Sequence, residues 1–360
     1  MKVIVTAGGT GGHIYPALAL IDYIKQKEPN SEILYIGTHN RMEKEIIPKR
    51  KIPYQEIEIY GLNKKKIVKT FYYLIKSFKK CKKIIKDFNP DIVIGFGGYV
   101  TFPVILSAHF LGVKTFIHEQ NSIPGKSNRI LEKYVDKIGV SFLSSCKYFK
   151  KNKTILTGNP CSANALLAKP IDKSKLGLHE NKRLVLIVMG SLGSRTLGNI
   201  IVKCFDSFAD KDYEVLFITG NNLYDNFKNI KHSSNVKIIP FYEGLTSILK
   251  KTDLIITRAG ASTLSEIISL QIPSILIPSP YVANNHQYIN AKDLEDNNAA
   301  FLIEEKDASE EKIINLIDNI LNNSEKKTVM KENLKKLQVK DSASIIYKEL
   351  RSLIDNESNK

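Results

Sequence analysis

The segment Gly8-Gly9-Thr10-Gly11-Gly12-His13 packs four glycines into five residues and ends on an imidazole. Backbone so free of side chains can approach a ligand closely and turn its amides toward an anion or oxyanion. A merely tight turn needs fewer glycines. His13 is the candidate acid or base, because imidazole titrates near neutral pH. A second glycine turn, Gly95-Phe96-Gly97-Gly98-Tyr99, and the polar run His118-Glu119-Gln120-Asn121 each end an apolar stretch. In a parallel sheet that edge is where ligands bind.

The second half carries its own set. Gly190-Ser191-Leu192-Gly193-Ser194-Arg195 would suit a diphosphate, with Ser191 and the amides as donors. Thr257-Arg258-Ala259-Gly260-Ala261-Ser262-Thr263-Leu264-Ser265-Glu266 reads as a strand end, a small-residue turn and a helix start. A carboxylate placed like Glu266 can take both hydroxyls of a ribose while the turn's amides face phosphate; alone it would be an unremarkable dipole partner of the helix, and the surrounding Gly-Ala-Ser-Thr turn favours the ligand. Asn284-Asn285-His286-Gln287 offers amides and an imidazole to sugar hydroxyls, and for His286 a plain polar loop explains the residue as well. Two common nucleotide patterns fail: Ile14 stands where G-x-G-x-x-G needs glycine, the second strand ends Gly37-Thr38-His39 without an acidic residue, and no Gly-Lys-Ser/Thr follows for a P-loop.

These loops need strands and helices to hold them. Apolar runs at residues 3–6, 33–37, 91–95, 113–117, 137–140 and 154–157 predict strands covered on both faces, separated by amphipathic stretches such as residues 16–25. The pattern restarts at residues 184–190 and continues at 215–220, 236–240, 254–257 and 274–277. Two consecutive βαβ-type domains are expected, each opening with strand, glycine turn and helix, divided near Gly158-Asn159-Pro160 where a cleft would open. The spans are 1–160, 161–340 and a terminal helix at 341–360, which could pack back on the first domain.

At 360 residues the chain suits two domains, and 43% hydrophobic with 25% charged residues is a globular composition. Cys81, Cys146, Cys161 and Cys204 are scattered, without zinc spacing, as in a reducing compartment. The apolar start is too short for a secretory segment or a membrane span, and no later run is long enough, so a soluble or peripheral protein is expected. The net charge of +16 points to a polyanionic or anionic-surface partner. Ten lysines between Lys64 and Lys86 surround Val68, Phe71, Tyr72, Leu74, Ile75 and Phe78. More apolar and aromatic residues stand there than one core face needs, which favours contact with an anionic lipid surface over a solvated helix. The same lysines give little support to nucleic acid as partner, since helix-turn-helix, zinc and RNP signatures are missing.

Taken in order, GGTGGH (8–13), GTHNRME (37–43), GFGGYVTFP (95–103), HEQN (118–121), TGNP (157–160), GSLGSR (190–195) and RAGASTLSE (258–266) resemble the MurG family of bacterial cell-wall N-acetylglucosaminyltransferases from about residue 1 to 340. The resemblance implies an α/β fold of two Rossmann-like domains facing across a cleft (GT-B). It implies inverting, metal-independent and cofactor-free transfer of N-acetylglucosamine from UDP-N-acetylglucosamine to the C4 hydroxyl of a polyprenyl-diphosphate-linked muramyl-pentapeptide. It further implies a peripheral protein on the cytoplasmic face of the cell membrane. Carried over by position, His13 would be the base; Thr10, Gly11 and Gly12 would face the donor sugar or diphosphate, Asn121 the N-acetylglucosamine and Ser191 the phosphates. Ala261, Ser262, Thr263, Leu264, Ser265 and Glu266 would hold the nucleotide with Glu266 on the ribose, the backbone of Tyr242 would lie near the uracil, and Gln287 on the sugar. The membrane face would be Val68, Tyr72, Ile75 and Phe78.

The chain departs from the family pattern in three places. Cys161-Ser162 stands where an arginine follows GNP, Leu192 where a glutamine follows the second-domain glycine-serine, and His286 where glutamine is common. The first of these puts one donor contact in doubt. The competing readings are another GT-B enzyme or UDP-sugar epimerase with the same donor, and, from charge alone, a nucleic-acid-binding protein.

Overall fold

The computed structural model describes residues 1–61, 67–190 and 193–358, with side chains except at 67–69 and 356–358. The chain forms two compact units, one of Met1–Ala163 with Val339–Lys360 and one of Asn164–Gln338.

The first unit holds a seven-stranded sheet. In chain order its strands are β1 (Lys2–Thr6), β2 (Glu32–Thr38), β3 (Tyr54–Ile57), β4 (Ile92–Gly95), β5 (Lys114–Glu119), β6 (Lys137–Val140) and β7 (Thr154–Leu156). They lie in the order β3-β2-β1-β4-β5-β6-β7 and every pairing is parallel. Helices α1 (Gly11–Lys27), α2 (Glu43–Lys49), α3 (Ile67–Phe88) and α4 (Thr101–Phe110) connect them. Alternation along each strand builds a core on each face. Val3, Val5, Tyr35, Ile92 and Ile94 join Ile14, Leu18 and Ile21 of α1, whereas Ile4, Ile36 and Val93 join Cys81 and Ile85 of α3 and Val104 of α4.

The second unit repeats the plan with six strands: β8 (Arg183–Val188), β9 (Tyr213–Ile218), β10 (Val236–Ile239), β11 (Leu254–Thr257), β12 (Ser274–Leu276) and β13 (Phe301–Leu302). Their order is β10-β9-β8-β11-β12-β13, again wholly parallel. Its core joins Val185, Ile187, Val215 and Phe217 to Leu197, Ile201, Ile313 and Ile317 of the flanking helices.

The unit boundary follows hydrogen bonds rather than the proline of Gly158-Asn159-Pro160. Cys161 N–H is capped by Asn159 Oδ1 at 3.0 Å, and Ser162 Oγ bonds Asn159 O at 2.8 Å and Ser342 Oγ at 3.2 Å, which keeps residues 161–163 with the first unit. The C-terminal helix Ser342–Ser358 also belongs there: Ile346 and Leu350 are fully buried in the α1-side core. Each contributes about 1.5–3 kcal/mol of apolar burial. Tyr347 adds a 2.6 Å hydrogen bond to Glu28.

Candidate active site

In the first sheet the order turns back between β1 and β4, and open parallel sheets bind ligands outside the carboxyl ends of their strands at such a point. Both glycine turns lie there and touch, Gly8 N–H donating to Gly97 O at 3.3 Å. Gly97 has φ +104°, and a Cβ on it would meet His13 Cδ2 at 2.9 Å and Nε2 at 3.1 Å; Gly98 has φ +86°, and a Cβ on it would strike the Gly8 carbonyl. Side chains are excluded at both, so the imidazole rests directly against backbone.

His13 is the third residue of α1. Thr10 starts this helix with extended backbone and no side-chain cap, and its first turn has no acidic residue, so no side chain of the turn claims the amides of Gly11 and Gly12. His13 Nδ1 lies 3.1 Å from Gly8 O and 3.3 Å from Thr10 Oγ1. A carbonyl can only accept, so Nδ1 carries the proton of the neutral ring and Nε2 is its basic nitrogen.

Asn121 follows β5 and is positioned by Glu119. Glu119 Oε1 accepts from Asn121 N–H at 3.0 Å and Nδ2 at 3.2 Å, while Oε2 accepts from Gly125 N–H at 3.0 Å and Asn128 Nδ2 at 2.8 Å. His118 is fully buried, with Nε2 2.9 Å from Gly158 O, and burial pushes its pKa down to about 4. It is a neutral strut beside the site.

In the second sheet the order turns back between β8 and β11, and there too both turns meet at the switch point. Ser191 and Leu192 lie outside the described residues. Arg258, at the end of β11, is the organiser. Its guanidinium donates to Ile277 O at 3.0 Å, Pro278 O at 3.2 Å and Ser194 Oγ at 2.5 Å, and pairs with buried Glu305. Ser194 in turn caps the helix Arg195–Lys203.

The helix Ala261–Leu270 begins at Gly260 with no side-chain cap and no acidic residue in its first turn, which leaves the amides of Ala261, Ser262 and Thr263 unclaimed by side chains of that turn. Leu264 is fully buried and Ser265 Oγ donates back to Ala261 O at 2.8 Å, so these two side chains serve packing. Ser262 Oγ has no hydrogen-bond partner among the described residues. Glu266, the sixth residue of the helix, makes no side-chain hydrogen bond or ion pair among the described residues; part of it reaches the surface, yet burial pushes its pKa up to about 7. Tyr242 lies in the loop after β10, and Gln287 Oε1 accepts from Ser279 N–H at 2.9 Å. His286 Nδ1 is 2.8 Å from Ala283 O.

Three buried charged residues that the motifs contain, Glu43, Glu119 and Arg258, hold these loops, a role that their types and spacing alone do not assign. The one available signal was their place inside the motifs. Among the described residues, no group of three or more His, Cys, Asp or Glu side chains is placed to hold a metal ion.

On α3, Phe71, Tyr72 and Ile75 are 62%, 61% and 44% exposed, beside exposed Lys76, Lys79, Lys80 and Lys83. Phe78 is partly buried against Phe110 of α4, ring centroids 5.9 Å apart, and Phe110 is itself 58% exposed. The side chain of Val68, and Lys64 to Lys66 entirely, lie outside the described residues. Among the described residues, no helix is long and apolar enough to cross a membrane.

Residues 3–140 match the glycosyltransferase family 28 N-terminal domain, and residues 184–346 match the family's C-terminal domain. The chain is 44% identical to the UDP-N-acetylglucosamine--N-acetylmuramyl-(pentapeptide) pyrophosphoryl-undecaprenol N-acetylglucosamine transferase of Bacillus cytotoxicus, over 98% of this chain and 100% of that protein. It is 41% identical to the transferase of the same name from Bacillus subtilis, over 98% and 99%. Among solved structures, Acinetobacter baumannii MurG superposes with a TM-score of 0.79 at 25% identity, covering 98% of this chain and 99% of that one. A UDP co-structure of S. aureus MnaA superposes at 0.71 with 15% identity, covering 99% and 97%, a likeness of fold alone. Two GT-B domains matched in order, with near-complete identity-bearing overlap on such relatives, place the chain in glycosyltransferase family 28, to whose MurG branch it belongs.

Proposed function

We propose that the protein transfers N-acetylglucosamine from UDP-N-acetylglucosamine to the C4 hydroxyl of the muramyl sugar in undecaprenyl-diphosphate-linked muramyl-pentapeptide, a step of peptidoglycan synthesis. The observation that carries the reading is 44% identity along nearly the whole chain to transferases named for that reaction. The geometry supports a division of labour. The second unit offers the amides of Ala261 to Thr263 to a diphosphate and the Glu266 carboxylate, which has no side-chain partner among the described residues, to the ribose hydroxyls. The first unit offers His13 as base and the α1 amides of Gly11 and Gly12 to the donor sugar or diphosphate. Asn121 and Gln287 are assigned to the sugar, Tyr242 to the uracil by its backbone, and Ser191 to the phosphates.

In the transfer, His13 Nε2 takes the proton of the acceptor hydroxyl as its oxygen attacks the anomeric carbon from the face opposite UDP. The bond from that carbon to the diphosphate oxygen breaks, its electron pair leaves with UDP, and configuration inverts. Backbone amides at helix N-termini stabilise the charge developing on the diphosphate. No metal or cofactor takes part in the proposed step. The exposed face of Phe71, Tyr72 and Ile75 with its flanking lysines is assigned to an anionic lipid surface, where the acceptor resides, and the protein to peripheral attachment at the cytoplasmic face of the membrane.

The test is transfer of radiolabelled N-acetylglucosamine to a short-chain polyprenyl-diphosphate muramyl-pentapeptide in EDTA. Labelled product is expected. A folded protein that binds UDP and makes none would turn the assignment toward a different acceptor.

A further inference from the structure

Glu43 opens α2 and is fully buried, and the transfer written above gives it nothing to do. Its contacts are one-sided. Oε2 accepts from Gly9 N–H at 3.1 Å, and Oε1 accepts from Thr38 N–H at 3.1 Å and Thr38 Oγ1 at 2.6 Å. Among the described residues it has no ion-pair partner. A carboxylate kept in such a place needs every donor it has, and three donors held by one acceptor fix three pieces of chain at once.

The surroundings show which piece matters. Tyr35 and Tyr54 flank Glu43, and both phenols are held protonated, first by burial and then by its charge. Tyr35 donates to Ala7 O at 3.0 Å and Tyr54 to Thr38 O at 2.6 Å. Gly8 is wedged between Glu43 and Gly98, since a Cβ on Gly8 would strike the Glu43 carboxylate and a Cβ on Gly98 would strike the Gly8 carbonyl. Ala7, Gly8 and Gly9 are thus clamped in sequence. The one group of this clamp turned toward the imidazole is the Gly8 carbonyl, 3.1 Å from His13 Nδ1.

We infer that Glu43 is a positioning residue: by holding Gly9 it aims the Gly8 carbonyl, and that carbonyl holds His13 in the Nδ1–H tautomer that leaves Nε2 basic. The inference rests on His13 being the base. Without the clamp the peptide can turn, Nδ1 is left with the 3.3 Å contact to Thr10 Oγ1, a hydroxyl that can donate as well as accept, and the neutral ring divides between its two tautomers.

The experiment uses the full chain with 15N-labelled histidine, wild type against Glu43→Gln, with His13→Ala to assign the signal. Wild type should show the His13 proton on Nδ1. Glu43→Gln should populate the Nε2–H form and lower kcat in proportion to the Nδ1–H form lost, with KM for UDP-N-acetylglucosamine and the UDP dissociation constant within twofold. Three results would overturn the inference: a wild-type proton on Nε2, which needs no variant; a Glu43→Gln protein with unchanged tautomer, whatever its kcat; or one in which UDP affinity, unfolding midpoint and kcat fall together. The tautomer shift without any transfer by wild type would uphold Glu43 and sink the assigned reaction instead.

Discussion

In the first unit the glycine turn after β1 is braced by a buried carboxylate; in the second unit the turn after β8 is braced by a buried guanidinium. The sheets, switch points and helix starts correspond, so the opposite sign of the brace is informative. Glu43 consumes an amide of its turn, Gly9 N–H, and what remains facing the imidazole is a carbonyl. Arg258 consumes carbonyls and a hydroxyl, Ile277 O, Pro278 O and Ser194 Oγ, and takes no amide; those of Ala261 to Thr263 are unclaimed by side chains of their own turn. The acceptor brace therefore turns a carbonyl to the imidazole that manages the proton, while amides suited to an anion open a helix in both units, at Gly11 and Gly12 and at Ala261 to Thr263.

The largest effect expected from breaking this contrast is at His13. His13→Ala removes the base and should lower kcat by about 10²–10⁴-fold, the usual worth of general base catalysis, while UDP titrated by calorimetry binds as to wild type. A variant that also lost UDP affinity would erase the division between the units. Next comes Arg258→Met. It leaves Glu305 buried without its cation, which costs about 3–5 kcal/mol. Thermal unfolding should shift down and UDP affinity should fall with it, because Ser194 and the Ile277–Pro278 carbonyls lose their common anchor. Unchanged UDP affinity in a folded Arg258→Met protein would mean that the guanidinium brace does not shape the anion site.

The contrast itself was half legible in the sequence. Central strands announced themselves as continuous apolar runs because both faces are covered, and the glycine turns announced themselves because no other residue fits where Gly97 and Gly98 sit. β3 and β13 did not: both are edge strands, β3 sets adjacent exposed Gln55 and Glu56 between partly buried Tyr54 and buried Ile57, and β13 is two residues long. The braces were hidden for another reason. Glu43 reaches Gly9 across 34 residues, Arg258 reaches Glu305 across 47, and charged residues are exposed by default, so only the folded chain reveals which are buried.

The smallest effects sharpen the comparison at Glu266. Glu266→Gln keeps the shape but trades charge-assisted hydrogen bonds for neutral ones, and UDP should bind about tenfold more weakly, from about 1.5 kcal/mol. The pH dependence is more telling. Burial holds the free carboxyl at a pKa of about 7, so near pH 7 about half of it is protonated and cannot accept from both ribose hydroxyls. Two donated hydrogen bonds favour the carboxylate, so binding releases a proton wherever the free group still holds one. Affinity should therefore rise with pH through about 7, gain about twofold between pH 7 and pH 8, and level off above that. Calorimetry in two buffers of different ionisation enthalpy reads the released proton directly, and Glu266→Gln should abolish both the release and the slope. A wild-type slope that survives in Glu266→Gln would assign the proton to the nucleotide's own phosphate and leave the second unit's carboxylate without a ligand.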